Sequence, residues 1–173
     1  MDILLCKVRG MPKVSPEHVE ARRAQILAGA RRCFARWGYD GATVPRLEKE
    51  IGLSHGAIFN YYRSKLDLFV ALAREDHERF HEIWHSDGFA ALARHIAEAE
   101  PAWLAVYLDL HRRLHTDPAL RRKWRALHLE EPPPKSAGRA LALTILNGLV
   151  FARASGAEID VEPVIRLAEQ LVD

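Results

Sequence analysis

The chain has 173 residues, 49% of them apolar, and 25 Lys and Arg against 23 Asp and Glu give a formal net charge of +2. That length allows one large or two small domains with a packed core, and no run approaches the ~18 apolar residues of a membrane span. Cys6 and Cys33 have no metal-ligand spacing and make no disulfide framework, and Ile3, Leu4 and Leu5 are too short an apolar run for a signal peptide, so a cytoplasmic protein is expected.

The small net charge hides an asymmetry. Met11 to Lys65 carries ten Lys and Arg against five Asp and Glu, whereas Leu66 to Asp173 carries thirteen against seventeen. A basic segment joined to an acidic one is the footprint of a phosphate-binding module attached to a module of another kind.

Met1 to Gly10 shows no periodicity, Met11 is a candidate start, and residues 1–14 together read as a flexible extension. Ser15-Pro16-Glu17 is a helix start: a capping hydroxyl, a proline where the first turn has donors to spare, and an acid in the first turn. The helix runs to about Trp37, and Gly38-Tyr39-Asp40-Gly41 ends it. Ile26, Ala30, Cys33, Phe34 and Trp37 share its apolar face. Arg22, Arg23, Arg31, Arg32 and Arg36 lie opposite, either solvated or, for Lys13, Arg22 and Arg23, along a DNA backbone.

Thr43 to Lys65 reads as two short helices and a turn. Thr43 can cap the first, and Val44, Leu47 and Ile51 form its buried face. Gly52 stops it, because glycine takes a positive φ cheaply. Ser54 caps a second helix, His55 to Tyr62, in which Ile58 and Tyr62 share one face while His55, Asn60 and Tyr61 point elsewhere. A helix, a glycine turn and a second helix make a helix-turn-helix, whose second helix is the usual reader of the major groove. A plain pair of core helices is the alternative.

Ser64 caps a long helix with Asp67 at the capping-box position, and this helix, ending near Ser86-Asp87-Gly88, is the one obvious mechanical link between the DNA module and the second domain. Further helices are expected over Phe89–Ala99, from Pro101, over Ala119–Leu129 and over Ala137–Ala154. Asp160 caps the last, to about Val172. The helix Ala137–Ala154 is apolar almost all round, so it needs burial on two sides. It is either the centre of a monomeric bundle or, the preferred reading, a dimer interface made by Leu141, Ile145, Gly148, Leu149 and Ala152 with Leu167 and Leu171 of the last helix.

No nucleophile elbow, glycine-rich phosphate loop or paired-carboxylate signature is present, so no catalytic residue and no cofactor is expected. His77, His81 and His85 at helical spacing could hold a transition metal, yet the interleaved Glu78 and Glu82 suggest an ordinary polar face, and no metal is expected.

Phe34, Gly38, Thr43, Gly52, Ser54, Gly56, Phe59, Tyr62, Lys65, Leu68 and Phe69 stand where the TetR family of bacterial repressors has its N-terminal signature. The resemblance is dense over Ala24–Phe69. It implies an all-α fold: a three-helix helix-turn-helix domain (15–63) and a C-terminal bundle (64–173) that dimerises and binds a small effector, which releases a palindromic operator. It also implies DNA contacts by Thr43, Arg46, Ser54, His55, Gly56, Ala57, Asn60, Tyr61 and Lys65. Chemically, Thr43, Tyr61 and Lys65 suit phosphates, while Arg46, His55 and Asn60 can bond base edges.

A narrower resemblance is to the aconitase repressors of actinobacteria. It rests on runs such as Met11–Ser15, Ala30–Phe34, Gly41–Val44, Arg46–Glu48, Gly56–Phe59, Ala71–Asp76 and Thr116–Pro118. That group tends to carry arginine at the positions of Pro45 and His55 and histidine at those of Asn60 and Tyr61, and its stretch between Trp124 and Arg139 is longer. The effector cavity is expected among His81, Trp84, Trp103, Tyr107, His111, Arg112 and Asn147. Imidazoles and a cation beside aromatics suit an anionic metabolite, although the preferred reading of Arg112 is an ordinary solvated side chain. Two other readings stay open: a metal-sensing repressor of the same fold, and a helical module without DNA function.

Overall fold

The computed structural model describes residues 15–128, 134 and 136–172, without the side chains of residues 110–112, 127, 128, 171 and 172. The expectations for residues 1–14, and for the side chains of His111, Arg112 and Leu171, lie outside the described residues. Within them the only regular elements are helices: α1 Pro16–Gly41, α2 Val44–Ile51, α3 His55–Phe59, α4 Lys65–Ser86, α5 Gly88–Glu98, α6 Pro101–Thr116, α7 Pro118–His128, α8 Ala137–Ala154 and α9 Val161–Val172.

Local chemistry sets most of these ends. The Ser15 hydroxyl accepts the His18 amide, Ser64 accepts that of Asp67, and Ser136 accepts that of Arg139. Asp117 and Asp160 open α7 and α9 by accepting amides two or three residues on. Gly38, at φ 66° and ψ 174°, kinks α1 where the sequence ends it, and helical turns resume to Gly41. Gly52, at φ 75°, closes α2 with its amide on the Glu48 carbonyl.

Helix α3 is shorter than expected. It stops at Phe59 because the amides of Tyr61 and Tyr62 converge on the single Ile58 carbonyl, at 3.0 and 3.3 Å, and tighten the chain into a turn. Asn60 and Tyr61 therefore sit on that turn.

Two apolar cores form. The first joins Ile26, Phe34, Leu47, Ile58, Leu68, Phe69 and Leu72 to Trp103, Val106 and Leu120, so it runs past residue 63 into α6 and α7. The second joins Leu92, Ile96, Leu146, Leu149, Val161 and Ile165, with Phe80, Ile83 and Trp84 packed against it. Helix α4 gives its first half to one core and its second half to the other.

The expectation of α4 as the one mechanical link needs correction, since α1 lies along α6. Arg113 of α6 pairs with Asp40, and the Tyr39 ring carries Arg113 at 4.7 Å and Lys65 at 4.6 Å. The membrane expectation also needs one amendment. Helix α8 is long and apolar enough to cross a bilayer, with a mean hydropathy of 1.2 over 18 residues. Only its Ala142, Leu146 and Leu149 are buried against its own protomer.

Candidate nucleic-acid interface

Helices α2 and α3 present their N-terminal ends to solvent on either side of the Gly52 turn. Thr43 and Ser54 occupy the two capping positions with extended backbones, yet neither hydroxyl accepts a backbone amide. The expected Thr43 and Ser54 side-chain caps are therefore not made, and both exposed hydroxyls remain uncommitted. Ser54, His55, Gly56 and Asn60 are exposed; Ala57 and Tyr61 are half-buried. A methyl group added at Gly56 would meet nothing within 4 Å, so packing does not demand glycine there. The His55 ring lies on Phe59 at 4.5 Å.

The two cations of the expected set are engaged. Arg46 donates to the Gly41 carbonyl at 2.8 Å, and its guanidinium lies 4.1 Å from the Trp37 ring centre. Lys65 donates to the Tyr39 carbonyl at 2.9 Å, and burial lowers its pKa from the ordinary lysine value. Along α1, Arg23 pairs with Glu20 and Arg22 with Gln25, while Arg32 and Arg36 approach Glu50 at 4.0 and 3.6 Å.

Above this head a cavity of about 380 Å³ opens between α4, α5, α6, α7 and α8. Phe80, Trp84, Tyr107, Trp124 and Leu146 give it apolar walls; His77, His81, Asn147, Asp76 and Arg139 give it polar ones. Four of the expected residues, His81, Trp84, Tyr107 and Asn147, meet there. Trp103 does not: it lines a cleft of about 180 Å³ on the other side of Asp76, with Arg31 and Arg79. Arg139 was missed. It lies 5.6 Å over the Trp84 ring, and only the fold brings it beside α4.

The wall between the two spaces holds a polar cluster that sequence reasoning also missed. Asp76 accepts from both terminal nitrogens of Arg31, at 3.0 and 2.7 Å, and from Trp103 Nε1 and the Tyr107 hydroxyl, each at 2.7 Å. Arg31 stacks on Trp103 at 4.4 Å. Burial pulls the Arg31 pKa down, but the Asp76 hydrogen bond and charge outweigh it and raise the value. The Tyr107 hydroxyl is pushed well above the phenolic range, first by burial and then by Asp76, so it stays a donor. One carboxylate thus joins α1 of the head to α4 and α6.

Among the described residues no three His, Cys, Asp or Glu side chains converge as a metal site would require. His81 and His85 do lie together, rings 4.2 Å apart. Of the expected interface residues, Leu149 is only 6% exposed and belongs to its own protomer's second core. Ile145 also packs on that core, whereas Gly148 and Leu141 face outward. Phe151 and Leu167, 61% and 60% exposed, dominate the outward apolar face.

Residues 26–72 match the family model described as bacterial regulatory proteins, tetR family. The chain is 41% identical over 167 residues to the HTH-type transcriptional repressor Rv1474c of Mycobacterium tuberculosis, covering 84% of this chain and 89% of that protein. It is 38% identical to the HTH-type transcriptional repressor AcnR of Corynebacterium diphtheriae over an alignment of 185 residues, 94% of this chain and 97% of that one. Salmonella enterica GusR has a similar fold, with a TM-score of 0.65 at 17% identity over 92% of this chain and 95% of that one.

Proposed function

The chain belongs to the TetR family of bacterial regulatory proteins and is a DNA-binding transcriptional repressor, and we propose that it holds a palindromic operator as a homodimer until an anionic metabolite enters the α4–α8 cavity. The resemblance to aconitase repressors supports an aconitase gene, or one of related central metabolism, as its target. It works in the cytoplasm as a regulator rather than a catalyst. Residues 15–63 are read as the DNA-binding unit and 64–173 as the effector and dimerisation unit.

The observation that carries the DNA face is the pair of uncommitted hydroxyls, Thr43 and Ser54, at two exposed helix starts, the second followed by the unfilled space at Gly56. Helix starts attract phosphate, and a missing side chain lets a backbone approach. A duplex selected from a random pool by the wild-type chain should bind with a log K that falls with log salt at a slope near −5 if about six phosphates are neutralised. Asn60→Ala should cost about 1–3 kcal/mol and relax choice at one base position. Affinity indifferent to salt would overturn the reading.

For the effector, the supporting features are a cavity of about 380 Å³, within the range of small-molecule sites, and the Arg139 cation lining the same cavity as His77 and His81. Di- and tricarboxylic acids should raise the thermal midpoint by binding the folded chain, and should weaken operator binding by the same factor by which operator weakens theirs. Arg139→Ala should remove that coupling and leave operator binding by the free protein intact. Preference for a cationic, hydrophobic compound would overturn the anionic assignment.

A further inference from the structure

We infer that Trp37 is a positioning residue for DNA binding: its indole holds the Arg46 guanidinium in readiness for a backbone phosphate. Trp37 is 40% exposed at the end of α1, where a tryptophan leaves much of its apolar surface in water. Its ring carries Arg46 at 4.1 Å and Arg36 at 5.1 Å. The Gly41 carbonyl fixes the Arg46 fork from one end at 2.8 Å. Gly41 leaves room for this. A methyl group added there would come within 3.3 Å of Trp37 Cβ and 3.6 Å of Arg46 Nη1.

A guanidinium has five N–H donors in a rigid plane, and one carbonyl occupies one of them. Among the described residues no other hydrogen-bond acceptor meets the Arg46 fork. Arg46 lies in the first turn of α2, three residues after the capping position of Thr43. The first helix of a helix-turn-helix crosses the DNA backbone. Arg46 is therefore placed for phosphate rather than for a base edge, and Trp37 removes rotamer freedom that binding would otherwise have to quench. A lysine in its place would not be equivalent, because a point-charge ammonium has neither a plane to stack nor a fork of donors to aim.

This inference rests on Arg46 as a DNA contact, and the test separates the two. The probe is the duplex selected by the wild-type chain. Arg46→Ala should weaken binding and lower the salt slope by about one per head. Trp37→Ala should weaken binding by about three- to tenfold per head, the freedom of one long side chain, while keeping the salt slope, because no charge is lost. Trp37→Phe should restore most of the affinity, and Trp37→Ala should add nothing to Arg46→Ala. Additive effects, or a loss in Trp37→Ala matched by an equal fall in folding stability, would overturn the positioning role and leave the Arg46 contact standing. No effect of Arg46→Ala would overturn both.

Discussion

Asp76 shows what one side chain can join. Its side chain is 13% exposed and takes four hydrogen bonds from donors on two other helices. Removing the carboxylate takes away the acceptor shared by a guanidinium, an indole N–H and a phenol, and leaves Arg31 with Glu75 alone at 3.6 Å. Asp76→Ala should therefore destabilise the fold by about 3 kcal/mol, read from urea unfolding, and Asp76→Asn by less because the amide oxygen still accepts. The sequence does not reveal this cluster. Arg31 reads there as one cation in a row of arginines, and its partner is 45 residues away. The helix-turn-helix that carries the proposed DNA contacts was legible by contrast, because residue type and distance from a cap and a glycine turn are local properties. The states of Arg46 and Lys65 were not, since both answer to carbonyls near the end of α1.

At the scale of elements, helix starts and stops were the most legible part of the chain. Ser15, Gly52, Ser64, Ser136 and Asp160 act through groups within four residues, so their chemistry is written in the sequence. The end of α3 depends on a carbonyl shared by two amides and carries no such signature. Gly29 is the most instructive omission. Its backbone is ordinary helix, so no turn or positive φ announces it. Yet a methyl group there would stand 2.7 Å from the Ile51 Cα and 3.0 Å from the Glu50 carbonyl oxygen. Helix α2 approaches α1 that closely. Gly29→Ala should destabilise by about 2 kcal/mol despite the better helix propensity of alanine, and should weaken operator binding by shifting α2. A thermal midpoint equal to or above the wild type would show that α2 can give way.

At the scale of the whole molecule, the all-round apolarity of α8 pointed to a second packing partner, but not to which residues face it. Periodicity alone could not separate Leu149, which lies in its own protomer's core, from Phe151, which lies mostly in water. Those positions differ by half a turn, and the neighbouring helices decide between them. Phe151→Glu with Leu167→Glu should give a folded monomer in sedimentation, with operator affinity lower by about a hundredfold or more because one head must then hold alone. Leu149→Asp should instead unfold the protomer, since it places a charge in the second core. A dimer that survives the Phe151 and Leu167 changes would move the interface elsewhere.

The passage of α4 from one core to the other has a mechanical consequence. Asp76 marks the crossing, beside the larger cavity, and Lys65 begins the helix at its far end. Eleven residues at 1.5 Å each make a lever arm of about 16 Å. A tilt of about ten degrees about that fulcrum would carry the start of α4 by about 3 Å, close to the ~3.4 Å rise of one base step along a strand. With α1 held to α6 through Asp76 and Arg113, such a tilt would have to carry α1 and α6 along with it. A wedge no larger than a metabolite could then put a reading helix one base pair out of register.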